Sequence, residues 1–266
     1  MRAQTRSLPN RSAPLATRSR LSRAEVALAL FVLVLAALAA LLPAVPLPAG
    51  YHEFVDARSW LELPNAADVL SNLPFALMAA LGWRALRRIP EARLDAGRRA
   101  LALVFFAGLL LTTFTSGFYH LAPGDAALAV DRLGIGVAFA GLLGLATADR
   151  IGLRAGLALC VLVALAAPMA ALWHAATGNM TPWAGLQGGG LLLLLALAGR
   201  RAQPGALGFS LLAVLGWYAL AKGLELGDAQ VFTWTLGTLS GHSAKHLVAA
   251  LAAWPVLRAL RRAAET

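Results

Sequence analysis

Ser116-Gly117-Phe118-Tyr119-His120 closes an uncharged, largely apolar run that follows Arg98-Arg99. The run is about as long as a helix needs to be to cross a bilayer, roughly 20 residues. On a helix, positions i and i+4 share a face, so the hydroxyl of Ser116 and the imidazole of His120 look the same way. Polar side chains in hydrocarbon are costly unless they meet partners. The rest of the chain must supply those partners, which makes the fold a bundle of membrane helices closed around a polar group.

Composition agrees. Over 266 residues the chain is 59% hydrophobic and 14% charged, too apolar for a soluble domain, and its apolar residues fall in bilayer-length blocks. The formal net charge of +10 could suggest nucleic acid. The arginines cluster between the apolar blocks, however, so they read as topology signals and no nucleic-acid partner is expected. Lysine occurs only at Lys222 and Lys245. The single cysteine, Cys160, lies inside an apolar block, which excludes an intrachain disulfide and leaves histidine and carboxylate as the metal ligands to consider.

Outward from the opening stretch, the pattern predicts an all-α polytopic membrane protein with a seven-helix core and one added N-terminal helix. Residues 1–24 read as a disordered cytoplasmic tail, 25–50 as the extra transmembrane helix and 51–262 as the membrane domain. A signal peptide is the competing reading of the first apolar run, but Val26 to Gly50 is longer than a usual signal core, so a retained helix is expected. Helix two should open at Pro64-Asn65 and end near Arg84, with Asp68, Ser71 and Asn72 in its first turns. Helix three should end near His120, and helix four should stop before Asp149-Arg150. Helices five to eight are expected over Ala155 to Trp173, Pro182 to Leu197, Ala206 to Leu224 and Val231 to about Arg258. Basic and non-basic connections alternate through all eight, which places both termini in the cytoplasm and Ser116, His120 and Asp131 towards the outer side.

Gly241-His242-Ser243-Ala244-Lys245-His246 repeats the i, i+4 spacing with two imidazoles. Two histidines one helical turn apart can bind one metal ion. With His120 on a separate helix and no cysteine ligands, a closed finger-type site is excluded, while a three-histidine site with an open position for water remains. Asp131 sits in the first turns of helix four, where Arg132 is an awkward partner because successive helix residues point apart, so a metal-bound water is the better one. Ser116 read alone fits a hydroxyl bonded to the carbonyl four residues back. Lys245 could neutralise Asp131 or a product carboxylate, or join two helices as a salt bridge. His52 and His174, at helix ends, read as ordinary interfacial histidines. One mismatch stands out: at about 1.5 Å per residue, His120 lies roughly 32 Å along helix three but His242 and His246 only about 18 to 24 Å along helix eight.

At these residues the chain resembles the alkaline ceramidase family, part of a superfamily with the seven-helix adiponectin-type receptors. The resemblance is carried by 51–58 (YHEFVDAR), 63–75 (LPNAADVLSNLPF), Ser116 to His120, Asp131-Arg132 and Gly241 to His246. It implies that His120, His242 and His246 bind zinc, that Ser116 helps hold a developing oxyanion and that Asp131 handles protons. It also implies hydrolysis of ceramide or another N-acyl lipid taken from the bilayer, in a bacterial inner membrane. Eukaryotic members bind calcium through an acidic segment before the first core helix. Here Glu53, Asp56, Glu62 and Asp68 are spaced differently, so calcium is not carried over. A lipid-binding receptor with a structural zinc site is the alternative, and a transporter fits less well because the polar groups gather at one depth.

Overall fold

The computed structural model describes residues 21–265; the tail expected at 1–24 falls almost wholly outside them. The described chain is all helical apart from one isolated bridge between Trp60 and Leu63. Its helices are α1 (Arg23–Leu41), α2 (Ala66–Leu70), α3 (Leu73–Arg88), α4 (Ala96–Leu121), α5 (Asp125–Arg150), α6 (Leu153–Thr177), α7 (Thr181–Ala198), α8 (Leu211–Leu226), α9 (Asp228–Trp234), α10 (Gly241–Leu251) and α11 (Trp254–Glu265). Six stretches are long and apolar enough to cross a membrane: α1, α2 with α3 as one span, and α4, α5, α6 and α7. The protein is therefore a multi-pass helical membrane protein. The perimeter agrees, since Leu33, Phe114, Leu165, Leu192 and Leu212 all point outwards unburied.

Three expectations need correction. The first helix stops at Leu41, nine residues short of Gly50, because Pro43, Pro46 and Pro48 have no amide hydrogen to continue it. Residues 43–65 form an irregular strap across one end of the bundle. It is tied down by Met180 N donating to the Val45 carbonyl at 2.7 Å and by Arg58 Nη2 donating to the Thr238 carbonyl at 3.2 Å. The seventh expected helix starts at Leu211 rather than Ala206, since 201–210 is an irregular segment pinned to α5.

The eighth expected helix is three helices. Leu236 and Gly237 adopt left-handed φ values of 54° and 76°, which ends α9, and Ser240 restarts the chain by accepting a bond from Ser243 N at 2.9 Å. The last helix runs on to Glu265, past the Arg258 at which it was expected to end.

The centre of the bundle is α4 against α5. A Cβ on Gly108 would lie 2.1 Å from the Ala138 nitrogen, and one on Gly141 would lie 2.3 Å from the Phe105 nitrogen. Absent side chains thus let the two backbones touch, as small residues do in membrane packing. This close pairing sets the C-terminal end of α4 beside the N-terminal end of α5.

Candidate metal centre

The end of α4 presents His120, and the first two turns of α10 present His242 and His246; all three are buried. Asp228, the first residue of α9, holds α10 in place. Its Oδ1 accepts from His242 N at 2.8 Å and its Oδ2 from Val55 N at 3.3 Å, so one carboxylate joins the strap to the helix carrying the histidine pair.

The imidazole centroids lie 4.9 Å (His120 to His242), 5.0 Å (His120 to His246) and 5.1 Å (His242 to His246) apart. One nitrogen from each ring falls within 4.8 Å of the others. Nδ1 of His120 and Nε2 of His242 are buried without a hydrogen-bond partner. Buried polar atoms nearly always find one. Three converging imidazoles, two of them with an orphaned nitrogen, fit a metal ion bound through histidine, and among the described residues this is the one group of histidine, cysteine and acidic side chains placed to hold a metal.

His246 is oriented from behind. The Ser71 hydroxyl lies 3.0 Å from the Asp68 carbonyl, to which it can donate, and 2.8 Å from His246 Nδ1. With its proton on the carbonyl, Ser71 Oγ accepts from Nδ1–H, the tautomer that leaves Nε2 of His246 for a metal. Asp68 is fully buried and accepts from Ser243 Oγ at 2.6 Å. Neither Ser71 nor this use of Asp68 was anticipated as part of the site. A signal was present, because Asp68, Ser71 and Asn72 stand at i, i+3 and i+4 in an apolar helix.

Asp131 and Ser116 are both buried, with the Ser116 side chain a hydrogen-bonding neighbour of the carboxylate and Oδ1 of Asp131 lacking a partner. Together with the three histidines they line one cavity of about 550 Å³. All five expected site residues are therefore brought to one place. Leu109, Leu142, Leu194 and Val214 supply an apolar wall. Phe54 of the strap lies over the histidines, its ring 4.3 Å from His242 and 4.8 Å from His120.

Among the remaining ionisable groups, His174 differs from expectation. Lys245 pairs with Glu225 on α8, as does Lys222, so it is a helix-packing salt bridge. Arg132 does not pair with Asp131 but donates to Nδ1 of His174 at 2.9 Å. His174 is accordingly a buried structural residue and not an interfacial one, whereas His52 sits at the rim between Tyr119 OH (2.9 Å) and Asp125 (3.1 Å). Asp56 makes two 2.7 Å contacts to Arg58, and those hydrogen bonds hold its carboxyl below the usual aspartate range.

No protein-family profile matches this chain, and no curated protein matches it.

Proposed function

We propose that the chain is an intramembrane zinc amidohydrolase of the alkaline ceramidase kind, cleaving ceramide or a related N-acyl lipid to a fatty acid and a free amine. The observation that carries this reading is the shared cavity: three buried histidines, two of them with an orphaned ring nitrogen, open onto the same space as an incompletely bonded carboxylate, a serine hydroxyl and an apolar wall. His120, His242 and His246 would hold zinc, which when bound polarises a carbonyl and acidifies a water.

The protein's own groups do the rest. Oδ1 of Asp131 takes a proton from the attacking water and returns it to the leaving nitrogen, so amide plus water becomes carboxylic acid plus amine. The Ser116 hydroxyl donates to the carbonyl oxygen as negative charge builds on it. Ser71 keeps His246 in its binding tautomer, and Phe54 shields the site from bulk water. The acyl tail lies along Leu109, Leu142, Leu194 and Val214. The site gathers at the end opposite Arg87, Arg88, Arg98 and Arg150, which supports both termini on the cytoplasmic side of a bacterial inner membrane and the active site towards the outer face.

Zinc content and fatty-acid release from long-chain ceramide by detergent-purified protein, wild type beside His242→Ala, test the reading. Zinc near one per chain with release lost in the variant supports it. Bound zinc without release from any lipid amide favours a lipid-binding receptor instead, and absence of zinc removes the site assignment.

A further inference from the structure

Arg132 is buried in the wall of the site cavity, with Tyr51 as a hydrogen-bonding neighbour and Asp131 near enough to act on it electrostatically but not in ion-pair contact. Its Nη1 donates to Nδ1 of His174 at 2.9 Å, its Nη2 contacts Sδ of Met180 at 2.9 Å, and the guanidinium lies 5.1 Å from the centroid of the Trp183 ring. An imidazole that accepts at Nδ1 is neutral. These contacts orient the guanidinium without forming an ion pair with it.

Of the other charges lining the cavity, Asp131 has the role assigned above, and several more are engaged elsewhere. Lys222 and Lys245 share Glu225, and Asp228 is engaged by the amides of Val55 and His242. Among the described residues none of the ion pairs includes Arg132. Buried arginine is normally matched by a carboxylate or phosphate, because an uncompensated buried charge is strongly destabilising. Its planar fork suits those two groups above others. The position fits a head group, since His174 closes α6 and Met180 and Trp183 open α7, at the same end of the bundle as the histidines, and Arg132 follows Asp131 directly.

We infer that Arg132 is the receptor for an anionic head group, so that the preferred lipid is an N-acyl amine whose amine half carries a carboxylate or phosphate, as in an N-acyl amino acid. The inference rests on the amide-hydrolase reading above. With the amide at the histidines and the tail in the apolar wall, the anion meets the guanidinium held by His174 and Trp183. The carboxylate of released fatty acid has the same chemistry, so the test must separate the two sources.

N-palmitoylglycine, N-palmitoylethanolamine and palmitate are compared as ligands, by displacement of a fluorescent fatty acid, and the two amides as substrates, on zinc-loaded wild type, R132Q and R132K. Wild type should bind and cleave the glycine amide about tenfold better than the neutral ethanolamine amide, the difference expected of one charge-assisted contact. R132Q should lose that preference through weaker glycine-amide binding, and R132K should keep part of it. If R132Q does not fold, the wild-type preference and its reduction in R132K decide. Equal treatment of the two amides by wild type overturns the head-group assignment while leaving the hydrolase intact. Palmitate binding that depends on Arg132 without a preference between the amides overturns it in favour of the released acid. A binding preference that R132Q abolishes, in protein that cleaves neither amide, upholds the anion subsite and removes the hydrolase.

Discussion

Nδ1 of His246 lies 2.8 Å from Oγ of Ser71, although the two residues come from opposite ends of the membrane domain. With the serine proton on the Asp68 carbonyl, the imidazole donates at Nδ1 and its other nitrogen is left for a metal. Ser71→Ala should therefore keep the fold while letting the ring turn. Zinc affinity measured against a competing chelator should fall about 10- to 100-fold; an unchanged affinity would mean that the contact does not orient the ring.

Asp131 contributes a carboxylate oxygen that is buried and without a partner. Asp131→Asn keeps the shape and removes the base. Zinc stoichiometry should stay at the wild-type level while lipid-amide turnover drops about 10²- to 10⁴-fold. Turnover that survives the change would sink the assigned role.

The three histidines join α4 to α10, so metal occupancy should also be felt as stability. Stripping zinc with a chelator should abolish fatty-acid release and lower the melting temperature, and restoring zinc should recover both. His120→Ala should recover neither on zinc addition. Thermal melts paired with activity assays check this.

Asp149 anchors the other end of the bundle. Fully buried, it accepts from Leu207 N at 3.1 Å and Gly208 N at 2.8 Å, with Arg98 and Arg150 each 3.7 Å away. Asp149→Ala should cost about 3–5 kcal/mol by leaving buried Arg150 without its acid partner, whereas Arg98 keeps Asp95. The readout is the shift in the midpoint of a denaturant titration in mixed micelles.

Acid should loosen the strap only at low pH. Hydrogen bonds from Arg58 hold the Asp56 carboxyl below its unfolded value of about 3.9. A lowered folded pKa gives stabilisation that is fully present above the unfolded value and lost as pH falls through the folded one. Hydrogen exchange across 51–63, corrected for its intrinsic pH dependence, should be flat from neutrality to about pH 5 and rise below about pH 4. A rise near pH 6 would exclude Asp56 as the controlling group.

Much of this was readable in the residues, for identifiable reasons. Long uncharged runs fixed α4 to α7 to within a few residues, because the bilayer imposes length and the arginines mark the ends. The i, i+4 histidines needed only helical geometry to be recognised as a pair. What stayed hidden depends on contacts between distant positions. Ser71 looks like any small polar residue until α10 lies against it. His174 looks interfacial until Arg132, 42 positions earlier, points at it. The break at Leu236-Gly237 was masked by Val231, Phe232, Trp234 and Leu236, which keep the stretch apolar across a turn that only backbone angles reveal.

That break lets the histidine pair start its own helical register while Asp228 of the preceding helix still holds the His242 amide. Since α10 begins afresh at Ser240, a residue gained or lost between 235 and 239 changes loop length and leaves both imidazoles aimed as before. The same event between His242 and His246 would rotate one ring by about 100° relative to the other. Length variation among natural relatives should therefore gather before Ser240 and be missing from the four residues after His242.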